Sequence, residues 1–283
     1  MIKPPARRTV TPRPFLKWVG GKGQLLDKLL EQVDRAKTFR RYHEPFVGGG
    51  ALFFELVRTG RMPRAKALLS DNNANLIAAY EGVRDDVERV IALLLDHARK
   101  HSERHYYEVR ARMPKDTYEQ AARIIYLNKT GYNGLYRENS KGLYNVPFGR
   151  YKNPAICNEE NLRAASKALR RAKIETRHFA SVLDYAEAGD LVYFDPPYHP
   201  VSRTASFTSY ARGGFGEDSQ RLLANVAREL DRRGALVLLS NSMTPLVREI
   251  YAGLIIDEVF ASRNVNSRAD RRGKISEALI RNF

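Results

Sequence analysis

The stretch DLVYFDPPYHP, residues 190–200, puts a carboxylate, two prolines and a tyrosine at the end of an apolar run. Leu191 to Asp195 read as a buried strand. Each proline fixes φ, removes an N–H donor and restricts the residue before it, so Asp195-Pro196-Pro197 is stiff. The Asp195 carboxylate and the Pro196 carbonyl are then two acceptors for which no proline nitrogen competes, and Tyr198 supplies a flat face. Such a set suits a planar ring with an NH₂ on its edge, the ring against Tyr198 and the amine on Asp195 and Pro196. An exocyclic base amine is a poor nucleophile because its lone pair is delocalised into the ring. Two acceptors on its hydrogens favour tetrahedral nitrogen and return the lone pair, ready for in-line attack on a methyl electrophile. The plain alternative is a proline-bounded strand end with no role.

Two other constellations carry chemistry. In FVGGGALF a strand ends in three glycines, which lets a ligand approach the backbone closely. The motif is not G-x-G-x-x-G, because position 53 is Phe. Asp71 lies one strand later, where a Rossmann-like fold places the carboxylate that binds ribose hydroxyls; a helix N-cap is the bland reading, and the two coexist. GGKGQ around Lys22 is not a P-loop, since Gly23 stands where Ser or Thr is needed. Lys22 can still reach an anionic group such as a cofactor carboxylate, or simply snorkel to solvent.

The elements that would hold these residues alternate between strand and helix. Leu25, Leu26, Leu29, Leu30 and Val33 share a helical face after the first glycine turn. A strand to Val47, a helix from Ala51 to Gly60 and a strand ending in Ser70-Asp71 make a βαβ unit. The pattern changes after about Tyr80. Residues 83–130 are helical by spacing, with a second helix over 117–129, and 130–154 read as loops and a hairpin around SKG. A helix at 159–172 follows. Strand signals return at 174–178, 190–195, 235–241, LIIDEVFA and ISEALIRNF, with helices at 217–233 and 245–252. We read an α/β catalytic domain at 15–80 and 173–283, interrupted by an inserted segment at 81–172 and preceded by a basic flexible tail at 1–14.

The chain has 283 residues, 43% hydrophobic, and carries 48 Lys+Arg against 32 Asp+Glu, a net charge of +16. A basic surface of this size points to a polyanionic partner, against the alternative of a merely solvated basic face. No apolar run reaches membrane-spanning length, and the N-terminus has no signal-type apolar segment. Cys157 is the only cysteine, which excludes a disulfide framework and a Cys-based zinc site and fits a reducing cytosol. No metal is expected.

FLKWVGGK, EPFVGGGALF, LSDNNANLI, NKTGYNGLYR, GLYNVPFGRY, LVYFDPPY, SFTSY and LLSN occur in this order over nearly the whole chain. In these motifs the chain resembles the Dam-type DNA adenine-N6 methyltransferases, whose target-recognition segment is inserted before the catalytic motif. The resemblance implies a Rossmann-like S-adenosylmethionine-dependent methyltransferase sheet with an inserted helical, hairpin-bearing DNA-recognition domain. It also implies S-adenosylmethionine as methyl donor, with S-adenosylhomocysteine as product, and adenine in double-stranded DNA as substrate. Trp18 and Lys22 would bind the cofactor, the turn from Phe46 through Gly48 to Gly50 would approach its methionine part, Asp71 would hold its ribose, and the backbone near Phe179 would lie by its adenine. Asp195 would bind the target amine, with Pro196 and Tyr198 beside the base, which must be flipped because its amine lies inside the stack. Lys17 and Arg137 match guanine contacts, Leu135 and Pro147 apolar contacts to the central pairs, Tyr132 and Asn133 residues that steady the duplex, and Lys129 and Arg150 phosphate contacts. GATC is the site these positions imply.

The chain departs from the resemblance in two places. It has Ser240-Asn241-Ser242-Met243-Thr244 where relatives often carry SNHDT, and Tyr136 and Glu138-Asn139 flank Arg137, so a carboxylate stands next to the DNA. Two other readings are a catalytically inactive sequence-specific DNA-binding module and a methyltransferase acting on an RNA or protein amine. A monomer in the cytoplasm, on the nucleoid through its DNA, is the expected state.

Overall fold

Apolar side chains on both faces of a short run make a strand buried on both faces, as parallel sheets require. LVYF does this: β4, Leu191–Phe194, is buried throughout. β1 (Tyr42–Glu44), β2 (Ala67–Asp71), β3 (Ala172–Thr176) and β5 (Leu236–Ser242) lie parallel with it. β6 (Ile255–Ser262) and β7 (Lys274–Arg281) are antiparallel to each other, and β7 is antiparallel to β5. The seven strands follow the order β3-β2-β1-β4-β5-β7-β6, so the last strand is inserted between the two before it. The chain reverses its order across the sheet between β1 and β4, and such a switch point is where open α/β sheets bind ligands. This is the Rossmann-like sheet that the motifs implied.

The computed structural model describes residues 10–18, 22, 25–65, 67–139, 141–200, 215–262 and 274–283. Residues 1–9 of the expected tail, Gly20, Gly21 and Gly23 of the first glycine turn, and the SFTSY motif lie outside the described residues. In chain order the α-helices among the described residues are α1 (Leu26–Arg35), α2 (Ala51–Arg58), α3 (Ala74–Asp85), α4 (Val87–Arg99), α5 (Glu103–Ala111), α6 (Thr117–Thr130), α7 (Glu159–Leu169), α8 (Glu217–Arg232) and α9 (Pro245–Ile250). None is long and apolar enough to cross a membrane.

The described residues divide into two compact units. One takes those within Lys22–Gly48, Met62–Ile77 and Ala172–Phe283, the other those within Met1–Gly21, Gly49–Arg61 and Ala78–Arg171. The first unit contains the whole sheet. Val192, Phe194, Val237, Leu239, Ala278 and Ile280 point from alternate positions of β4, β5 and β7 into one cluster with Leu223, Ala227 and Leu230 of α8 and Val247 of α9. Just before β4, the fully buried Asp190 accepts bonds from Arg41 Nη2 at 2.7 Å and from His43 Nε2 at 3.0 Å, which ties the start of β4 to β1. Burial opposes the charge on Asp190. The bonds from Arg41, the Glu187 N–H and His43 outweigh it and hold the carboxyl below the usual carboxylate range.

In the second unit α4 packs on α6 and α7, α5 on α6, and α2 on α7. The segment that reads as helical from 83 to 130 is broken by capping side chains. Asp86 accepts from Arg89 N, Ser102 from His105 N, and Asp116 from both Tyr118 N and Glu119 N. Each cap satisfies orphan donors at the start of α4, α5 and α6, so the backbone turns there although the apolar spacing carries on. α6 is buried along nearly its whole length. Arg13, at the end of the expected tail, exchanges two backbone bonds with the Asn161 side chain at the start of α7.

Candidate active site

Asp195 follows β4 directly, at the carboxyl edge of the sheet. Its Oδ1 accepts from Lys22 Nζ at 2.8 Å and from Ser240 Oγ at 2.8 Å. Among the described residues Oδ2 carries no hydrogen bond. Ser240 stands near the end of β5, is fully buried, and also lies 3.2 Å from the Tyr193 hydroxyl. Lys22, expected on a cofactor carboxylate or on the surface, is buried beside Asp195, with its ammonium 4.4 Å from the centre of the Tyr198 ring.

The Tyr198 hydroxyl donates to Glu277 Oε2 on β7 at 2.9 Å. Burial, with the Asp195 and Glu277 charges behind it, pushes the phenol well above its usual range, so Tyr198 is a neutral donor. The backbone on either side of Tyr198 is also held. The Pro197 carbonyl accepts from Gln220 Nε2 at 2.9 Å, and the His199 N–H donates to Asn241 Oδ1 at 3.0 Å. The Asp195–Tyr198 segment is therefore a braced acceptor loop beside an aromatic face. Bracing aims acceptors without reorganisation at the moment of reaction.

A second carboxylate lies at the end of β2. Asp71 accepts from Gly48 N at 3.3 Å through Oδ2 and from Asn73 N at 3.0 Å through Oδ1. Burial raises its carboxyl, and the N–H bonds pull the other way. The cap of α3 is Asn73, whose Oδ1 accepts from Leu76 N, so Asp71 is not spent on that helix. Gly48 and Gly50 have φ of +46° and +65°, the left-handed region that the turn after β1 demands. The Phe46 and Phe179 rings stack at 5.2 Å with 24° between planes. A carboxylate presented by backbone amides beside the left-handed Gly48 and stacked aromatics fits a nucleoside with a ribose diol. Trp18 lies in the other unit, stacked on Tyr136 at 5.3 Å.

The residues expected to face DNA all fall in the second unit. Asn128 pins Lys17 by accepting from its N–H at 2.7 Å and donating to its carbonyl at 2.7 Å. Gly134, at φ +62°, lies so close that an added Cβ would sit 2.6 Å from Lys17 Cδ. Lys129 is partly desolvated, and burial and the Lys17 charge lower its pKa. The loops of 131–139 and 144–151 pair through bridges Gly131↔Phe148 and Glu138↔Tyr144. Tyr132 is 52% exposed, and its N–H donates to the Pro147 carbonyl. Asn133 and Arg150 both hold positive φ, and Leu135 gives its carbonyl to the Tyr144 hydroxyl. Arg137 Nε donates to Asn145 Oδ1 at 2.8 Å. Glu138, which departs from the family pattern, accepts through Oε1 from the Tyr136 hydroxyl.

Four residues of the loop's support were missed from sequence: Ser240, Glu277, Gln220 and Asn241. The first and last were noted only as part of a divergent motif. Glu277 carried one usable signal, an acid in the largely apolar run ISEALI.

The family model described as D12 class N6 adenine-specific DNA methyltransferase matches residues 18–265. The chain is 42% identical over 279 residues to the Type II methyltransferase M1.LlaDCHI of Lactococcus lactis subsp. cremoris, covering 96% of this chain and 95% of the relative. It is 42% identical over 290 residues to the Type II methyltransferase M.MjaIII of Methanocaldococcus jannaschii, covering 96% and 99%. It is 35% identical over 271 residues to the DNA adenine methylase of Escherichia coli strain K12, covering 94% of each chain.

Proposed function

The chain belongs to the D12 class of N6 adenine-specific DNA methyltransferases, and from that premise we propose that it flips adenine out of duplex GATC and methylates its N6 from S-adenosylmethionine. The observation that carries the reading is the braced acceptor loop, with Asp195 fixed by Ser240 and Tyr198 fixed by Glu277. Asp71, Gly48, Phe46, Phe179 and Lys22 are the cofactor-binding residues of the sheet unit, and the resemblance adds Trp18 and Gly50 to the same ligand. When bound, the cofactor supplies an electrophilic methyl group on a sulfonium.

The chain's own residues do the rest. Asp195 accepts one amine hydrogen and the Pro196 carbonyl the other, which returns the N6 lone pair from the ring. Tyr198 holds the base plane by its face, as a neutral phenol anchored at its far end. The new N–CH₃ bond would form as the methyl's bond to the sulfonium sulfur breaks, leaving a neutral thioether; the nitrogen would become cationic, and the Asp195 carboxylate would stabilise that charge and accept the proton the amine sheds. Lys17 and Arg137 read guanine edges, Leu135 and Pro147 meet the central pairs, and Tyr132 and Asn133 steady the opened duplex. Lys129 and Arg150 sit on phosphates. The domain reading follows, with sheet residues doing chemistry and the helical unit reading sequence, in a monomer acting on DNA in the cytoplasm.

The test is transfer of tritiated methyl from S-adenosylmethionine to two duplexes, one with GATC and one with GTAC. Label on GATC alone is expected. Equal labelling of both breaks the site assignment, and label on neither breaks the reading of the substrate.

A further inference from the structure

Gln220 in the first turn of α8 and Asn241 in β5 are both fully buried, and their side chains form a chain of amides onto the acceptor loop. Gln220 Nε2 donates to the Pro197 carbonyl at 2.9 Å, and its Oε1 accepts from Asn241 Nδ2 at 2.9 Å. Asn241 Oδ1 then accepts from His199 N at 3.0 Å and from Ser242 N at 2.8 Å. His199 closes the set through Nδ1, 3.1 Å from Thr244 Oγ1. The directions are fixed, because turning either amide over would set donor against donor and acceptor against acceptor.

Neither side chain is needed to complete its own element. Asn241 already has its place in the ladder opposite Ala278, and the Gln220 N–H is bonded to Gly216. What the two amides hold are the peptide groups on either side of Tyr198. The proline rings fix φ at positions 196 and 197, so the remaining soft torsions of the loop are few. Clamping the Pro197 carbonyl and the His199 N–H removes most of them, and these torsions aim the Pro196 carbonyl and the Tyr198 ring.

We propose that Gln220 and Asn241 are positioning residues that hold the acceptor loop in its reactive geometry, governing the rate of methyl transfer and not the binding of either substrate. The inference rests on the roles given above to Asp195 and Tyr198. It separates the loop's bracing from the groups that touch the amine.

Gln220→Glu is the informative variant. An ionised Glu still accepts from Asn241 but cannot donate to the Pro197 carbonyl, whereas a protonated Glu can. In single-turnover assays on a GATC duplex, with 2-aminopurine duplexes reporting base opening, the rate of Gln220→Glu at pH 8 falls by about 10–100-fold. Cofactor and duplex affinities stay within about 2-fold, and the rate recovers toward wild type as pH falls, a recovery the wild type does not show. Asn241→Asp keeps the acceptor for His199, loses the donor to Gln220, and tests the same clamp from β5. Rates equal to wild type in both variants overturn the inference. So does a loss that follows folded fraction or cofactor affinity with no recovery at lower pH. A wild type that labels no duplex overturns the functional reading first and the inference with it, so the two failures are told apart in one assay.

Discussion

Among the described residues the two hydrogen bonds to Asp195 both fall on Oδ1, which orients the carboxylate, and the proposed mechanism puts the substrate amine on Oδ2. Asp195→Ala is expected to abolish turnover while the fold and cofactor binding survive. Isothermal titration with cofactor beside the methyl-transfer assay checks this, and near-normal turnover would remove the mechanism. Ser240→Ala takes away one of the two donors. A hydrogen bond to a charged group contributes about 1.5–3 kcal/mol, so a rate loss of roughly 10–100-fold is expected. An unchanged rate would show that Lys22 alone orients the carboxylate. Arg137, whose guanidinium is steadied by Asn145, is assigned to a guanine. Arg137→Ala should cut discrimination at one position by ~1–3 kcal/mol, read from competition between GATC and singly substituted duplexes. Asp195 and Tyr198 were legible because Asp-Pro-Pro-Tyr after an apolar strand is chemically unusual. Their partners were not, because Ser240, Gln220 and Glu277 are brought to the loop by strand register and helix docking, and neither leaves a local pattern.

At the scale of elements, apolar spacing found every strand of the sheet within a few residues, most plainly β4, whose burial on both faces makes it an uninterrupted apolar run. It did not find β7's place, since inserting the last strand between β5 and β6 depends on pairing and not on composition. It placed the helix that starts after Asp116 but merged those that Asp86 and Ser102 separate, because a cap is one residue against a long apolar rhythm. The glycine turn was legible, and its geometry makes it testable. Gly50 has φ +65°, and an added Cβ would lie 2.8 Å from the Tyr80 hydroxyl. Gly50→Ala should therefore lower stability by roughly 1–3 kcal/mol, seen as a lower urea midpoint at unchanged slope. An unaltered midpoint would mean the turn relaxes at no cost.

For the whole molecule, the histidines predict how stability follows pH. Burial lowers the pKa of His43, His101, His105 and His199, and burial with the His105 charge lowers His97 to about 4. A base with a depressed folded pKa is neutral in the native state, so the unfolded chain binds more protons in between. Stability from these residues is complete above the unfolded value of about 6.5 and is lost as pH falls toward 4. The urea midpoint should drop between pH 7 and pH 5, and a flat midpoint would contradict the burial of these rings. One feature of the sheet also bears on how the protein is made. A ribosome releases β5 and β6 before β7, the strand that among the described residues pairs with both. Until residues 274–281 emerge, two strand edges stay open to other chains and Tyr198 has no Glu277 to anchor it. The anchored acceptor loop and the closed sheet edge thus arrive together, when β7 pairs, so that chains cut short before residue 274 would lack both and be conspicuous to chaperones and proteases.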